Sequence, residues 1–245
     1  MKLLNMKLLV LGVASIMAMA STPVFAVSSA SANLGDLTVS LISLGSSVTP
    51  TITWADSNNN SISVYAYDYA NANYQSNSAY GAGNLSAAVS TAISQASGSV
   101  NQSGLGNHPP FTNMSGSGST GSVGTSGGLF EAYTQSNDSF TLSANTIAIF
   151  TAPVTTNAQT TVGYDSGTGS TEEAQAIAQL TTSGYTGNGY QSSYETLSSY
   201  ANYTLIWNPI TLTYDGIGQS VNKTGSLGVA FTNLSNSSAT GSLQA

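Results

Sequence analysis

The chain has 245 residues, ten acidic, three basic and one histidine, for a formal charge of −7, and it has no cysteine. There is no arginine, and two of the three lysines, Lys2 and Lys7, stand at the extreme N-terminus. Nucleic acid and phosphate-rich membrane surfaces need clustered cations and are excluded as partners on this composition; disulfides, thiolate metal sites and cysteine nucleophiles are excluded with them.

The N-terminus reads as an export signal. Lys2 and Lys7 make a positive start, Leu8 to Ala20 is apolar, and Val24-Phe25-Ala26 offers a small-residue cleavage site behind Pro23. The pattern predicts a signal peptide over 1–26, cut between Ala26 and Val27. Its apolar run is shorter than the roughly 20 residues of a membrane span. No later segment is long and apolar enough to span a membrane. The expected product is secreted, extracellular or held at the cell surface, with Lys223 alone facing ten carboxylates.

Ser, Thr, Gly and Asn make up nearly half of the chain, yet 13 Tyr, 6 Phe and 2 Trp argue for an ordered domain, because disordered chains are poor in aromatics. In chain order, Leu37 to Leu41 alternates apolar and hydroxyl residues, as a half-buried strand does. Residues 51–69 read as a hairpin: Thr51 to Trp54, a turn at Asp56 to Asn60, then Ser61 to Tyr67. Leu85, Ala88, Val89, Ala92, Ile93 and Ala96 fall at helical spacing behind Asn84, which predicts a short helix near 84–97, although the Ser, Thr and β-branched content also suits strands. Residues 98–128, rich in Gly, Ser and Asn around Pro109-Pro110, read as a long flexible loop. Ser139 to Leu142 and Thr146 to Ala152 are strand candidates. At 172–180, alternating alanines favour a strand while the paired glutamates favour a helix. Tyr203 to Trp207, Ile210 to Tyr214 and Ser226 to Phe231 complete the set. The expectation is one all-β domain over 27–245, an antiparallel β-sandwich of jelly-roll-like type.

Few residues suggest chemistry. His108, the one imidazole, sits between Asn107 and Pro109 with no acidic neighbour to orient it, so no triad or zinc site is built on it. Glu172 and Glu173 are adjacent and would point to opposite faces of a strand. Asp56 to Asn60 opens like a calcium loop, but Ser61 and Tyr67 stand where that loop needs Gly and Glu. No cofactor, metal site or catalytic residue is assigned, and the expectation is a protein that is not an enzyme. The tyrosines carry more. Tyr65, Tyr67 and Tyr69 alternate along one strand, and an exposed aromatic row beside amides could stack on sugar rings. They are the candidate ligand-binding residues. Soluble β-proteins guard their edge strands with lysine or other charge, and this chain has almost none to place there.

Some segments resemble a known group. Leu34 to Trp54, with Val48-Thr49-Pro50-Thr51-Ile52-Thr53-Trp54, and Phe140 through Ala152 resemble parts of exported bacterial β-proteins, many of which carry a C-terminal PEP-CTERM sorting tail. Gly225 to Gln244, with Phe231-Thr232-Asn233-Leu234-Ser235, is similar to the strands that precede that tail, while the tail itself is absent here. The resemblance covers under a third of the chain. It implies an exported β-sandwich with a place in extracellular matrix, and no catalytic residue. The leading expectation is a non-enzymatic extracellular or cell-surface structural protein that self-associates. The alternative is a carbohydrate-binding module whose partner is an extracellular polysaccharide.

Overall fold

A computed structural model describes residues 27–45, 49–55, 59–102, 109–121, 127–161, 164–165 and 170–245. The strands are β1 (Val27–Leu34), β2 (Thr38–Ser43), β3 (Ile52–Trp54), β4 (Asn59–Asp68), β5 (Asn73–Gly81), β6 (Leu85–Ser90), β7 (Ser94–Asn101), β8 (Asn113–Gly121) and β9 (Gly128–Leu142). Then follow β10 (Thr146–Thr160), β11 (Tyr164–Asp165), β12 (Ser170–Thr171), β13 (Ala174–Thr186), β14 (Gly189–Ala201), β15 (Tyr203–Asn208), β16 (Thr213–Gly218), β17 (Ser220–Asn233) and β18 (Ala239–Gln244).

Two seven-stranded antiparallel sheets face each other. The first runs β6-β7-β8-β1-β10-β17, with β2 continuing beyond β1 along β10; the second runs β14-β13-β18-β9-β4-β5, with β3 continuing beyond β4 along β9. β11–β12 and β15–β16 are separate two-stranded ribbons. The chain is therefore the expected all-β sandwich.

Period-two sequence makes these layers. In β10, Ala148, Phe150, Ala152, Val154, Thr156 and Ala158 face inward and are buried, while the residues alternating with them face out. From the opposite sheet Phe140 meets Phe150 with ring centroids 5.2 Å apart, and Trp54 packs edge-on to both, at 5.5 Å and 5.9 Å. Phe231 adds a fourth ring 5.3 Å from Phe140. Where β1 gives way to β2, Pro153 of β10 has no N–H to donate. Its carbonyl accepts the Gly35 N–H at 2.8 Å, and a Cβ on Gly35 would sit 2.8 Å from the proline ring, so the step needs glycine.

Besides Ile210 to Tyr214, where residues 209–212 form the turn between β15 and β16 instead of a strand, three expectations are corrected. Residues 84–97 hold no helix: β6 and β7 form a hairpin whose turn is closed by Thr91, with its N–H on the Ser94 carbonyl (2.7 Å) and its hydroxyl accepting the Ser94 N–H (3.0 Å). Ala87, Ala96 and Val100 are buried at strand spacing, so the two-residue period prevails over the helical one. The loop expected over 98–128 contains β8, an interior strand between β7 and β1. Its glycines serve close packing, since a Cβ on Gly116 would meet the Ala132 carbonyl at 3.2 Å, and its serines pair with β7 through Ser97–Ser117 (3.0 Å) and Ser99–Ser115 (2.8 Å). Residues 103–108 and 122–126 of that stretch lie outside the described residues. Third, 51–69 is no hairpin: β3 and β4 lie along the same side of β9. The reversal comes after β4, where the fully buried Asp68 carboxylate accepts the N–H groups of Ala70 (2.9 Å) and Asn71 (3.3 Å). The ambiguous 172–180 is strand, with Ala174, Ala176 and Ala178 facing in along β13.

Candidate functional site

The outer face of the second sheet carries the tyrosines. On β4, Ile62, Val64 and Ala66 are fully buried, which turns Ser61, Ser63, Tyr65 and Tyr67 outward. Register then builds a grid across three strands. Tyr67 lies between Tyr74 of β5 and Leu129 of β9, Tyr65 between Ser76 and Glu131, and Ser63 between Ser78 and Tyr133.

Tyr69, just past the end of β4, stands edge-on to Tyr67 at 4.6 Å, and Tyr74 lies 6.1 Å from Tyr65 and 6.3 Å from Tyr67. Tyr65 and Tyr67 are half-buried, whereas Tyr69 and Tyr74 are more than half exposed. The structure thus brings all three predicted tyrosines together and adds Tyr74. The Tyr65 hydroxyl bonds the Glu131 carboxylate, and this contact, with partial burial and the carboxylate's charge, pushes the phenol up from 10.0 to about 12. Sequence reasoning passes over Leu129, Glu131 and Tyr133, although their alternation with Phe130 and Ala132 is the period-two signal of a strand.

A second tyrosine group lies on β13 and β14. Tyr185 and Tyr190 are register partners with centroids 5.2 Å apart, and Tyr194 is exposed beyond them. Desolvation and the Glu173 carboxylate push the Tyr200 phenol up.

The carboxylates serve as acceptors for amides. Glu172 is buried and takes the Thr161 N–H at 2.8 Å, whereas its neighbour Glu173 faces out beside Tyr200. Asp215 takes the Asn208 side-chain amide at 2.7 Å, and Glu195 takes the Gly228 N–H. With almost no cations to pair with, these acids bond neutral donors, each an attachment between strands or within a turn. Among the described residues no three His, Cys, Asp or Glu side chains cluster as metal ligands. His108, Ala26 and residues 56–58 of the calcium-like turn lie outside the described residues. Asn60, the second residue of β4, donates its buried side-chain amide N–H to the Gly83 carbonyl at 3.0 Å. Val27 begins β1, its N–H on the Thr161 hydroxyl at 2.8 Å. No described helix is long and apolar enough to cross a membrane. No protein-family model, curated protein or solved structure matches the chain.

Proposed function

We propose that the chain is an exported, non-enzymatic structural protein of the cell surface or extracellular space, acting through contact between folded copies. One observation carries this reading: the edge strand β5, Asn-Tyr-Gln-Ser-Asn-Ser-Ala-Tyr-Gly, is exposed along most of its length and carries no charge and no proline. Such an edge is a template for pairing with another strand. The opposite side of the sandwich contrasts with it, because there β14 side chains bond the outer backbone of β17. Sedimentation of the mature chain across a wide concentration range tests the reading. Association should grow with concentration and vanish in the double variant Ser76→Lys, Ser78→Lys, whereas a monomer at every concentration defeats it.

A second reading is favoured by the tyrosine grid. Tyr67, Tyr69 and Tyr74 offer apolar ring faces on a flat surface flanked by Ser76, Ser78 and Glu131, which suits the stacked and hydrogen-bonded recognition of a polysaccharide. Binding on a glycan array that disappears with Tyr67→Ala supports it; no glycan bound at all counts against it.

A further inference from the structure

The edge strand β5 reads nearly the same in both directions. Tyr74-Gln75-Ser76-Asn77-Ser78-Ala79-Tyr80 matches its own reversal about Asn77 everywhere except at Gln75 and Ala79, and Asn77 is also the midpoint of β5. Among the described residues no strand lies beyond β5. Gln75 and Asn77 stand opposite the inward-facing Ala66 and Val64, yet they are exposed like Ser76 and Ser78 on the outer face, so the strand is open to solvent on both faces.

The phase of the ladder decides which residues have backbone left to offer. Tyr69 donates its N–H to the Gly127 carbonyl directly across from it, at 3.2 Å, and hydrogen-bonded pairs alternate sides along an antiparallel strand. Tyr67, Tyr65 and Ser63 therefore bond β9, while Ala66, Val64 and Ile62 bond β5 at Gln75, Asn77 and Ala79. That directs the N–H and C=O groups of Tyr74, Ser76, Ser78 and Tyr80 away from the sheet. The neighbouring edge strand, β6, is partly closed. The Thr91 N–H on the Ser94 carbonyl sets its phase and turns the Ala88 backbone outward, where the Asn77 side-chain amide donates to its carbonyl at 3.5 Å.

We propose that the partner of β5 is β5 of a second copy, paired antiparallel about a two-fold axis through Asn77, so that association at this edge closes as a dimer. This pairing rests on the reading that copies contact one another, and it gives that contact a register and an end point. Tyr74 then lies opposite Tyr80 of the second copy, Ser76 opposite Ser78, and Asn77 opposite itself. Every residue with outward backbone meets another such residue, for about eight hydrogen bonds between the copies. A slip of one residue sets outward backbone against backbone already bonded to β4, and a slip of two shortens the ladder and parts the tyrosines. A charged residue near the axis would face its own copy and repel it; β5 has none, although the chain carries a net −7. Two-fold pairing uses the same edge on both copies and leaves none of it free, whereas β5 on β6 would build an open fibre. The outer row of Tyr67 and Tyr74 continues across the axis into Tyr80 of the second copy.

The test uses single cysteines, since the chain has none of its own. At position 77 the two Cα atoms would lie about 4.5 Å apart, within reach of a disulfide, while the two copies of position 75 would stand about 14 Å apart. In a glutathione redox buffer Asn77→Cys should give a covalent dimer. Gln75→Cys should give none by itself, and should give one when mixed with Ala79→Cys. Sedimentation of the unsubstituted chain should level off at the dimer, with Kd on the order of 10 µM for so small an interface. If a cysteine variant does not fold, charge decides the matter: a mixture of Ser76→Lys, Ser78→Lys with Ser76→Glu, Ser78→Glu should form a dimer that neither forms alone, and no dimer in the mixture overturns the proposal. Growth beyond the dimer, or Gln75→Cys crosslinking by itself as readily as Asn77→Cys, overturns this pairing while contact between copies stands. A monomer at every concentration with no disulfide at position 77 overturns both.

Discussion

Gln191 of β14 holds Thr232 of β17 by both ends of its side-chain amide: its Nε2 donates to the Thr232 carbonyl at 2.6 Å and its Oε1 accepts the Thr232 N–H at 3.1 Å. One turn of the same pattern away, the Glu195 carboxylate accepts the Gly228 N–H. Both β17 residues would otherwise present free backbone on a sheet edge. This edge strand carries Lys223 near its start, and over 228–232 it is closed with side chains from the facing sheet.

The double variant Gln191→Ala, Glu195→Ala should therefore lose about 1–3 kcal/mol of stability and associate at lower concentration through β17. Urea unfolding checks the first part, as a lower midpoint at unchanged slope. Sedimentation checks the second.

Phe150→Ala removes the ring that Trp54 and Phe140 pack against. With Phe150 fully buried, the expected loss is about 3–5 kcal/mol. Tryptophan emission should shift to longer wavelength as Trp54, now 5% exposed, gains solvent.

Gly184 of β13 pairs with Gly241 of β18, and a Cβ on it would come within 2.5 Å of the Thr240 carbonyl and 2.7 Å of the Gly241 Cα. Those are backbone atoms and cannot swing aside, so Gly184→Ala should cost about 1–3 kcal/mol. Calorimetry should give a lower midpoint, whereas Gly225→Ala, with nothing within 4 Å of the added carbon, should be tolerated.

Folding raises the Tyr65 phenol from 10.0 to about 12 and so favours its protonated form. The stability this contributes is fully present below pH 10, where the unfolded chain also keeps the proton, and it is lost as pH rises from 10 through about 12. Phenolate absorbance should show one tyrosine titrating late, and Glu131→Gln should bring it back toward 10. Tyr65→Phe should remove that part of the alkaline stability loss.

Strands were legible wherever one face is buried and the other is not. Leu37 to Leu41, Thr146 to Ala152 and Ser226 to Phe231 all alternate, and all are strands. The outward row of Tyr65 and Tyr67 was legible for the same reason, since side chains on a strand change face at every residue. The reading failed where small residues dominate. At 85–96 alanine and serine fit either period, and only the buried side of Ala87 and Ala96 selects the strand. At 113–121 glycine and serine looked like linker, yet there they let β8 approach β9 closely.

Composition and alternation by themselves determined that this chain folds as β-structure and lacks the cations to bind polyanions, because both follow from side-chain chemistry summed along the chain. Partners were another matter. That β3 and β4 share one side of β9, that Tyr65 meets Glu131 and that Gln191 reaches Thr232 were decided by tertiary structure alone. Each depends on which strands lie side by side and in what register, and uncharged hydroxyl-rich strands are nearly interchangeable until packing selects among them.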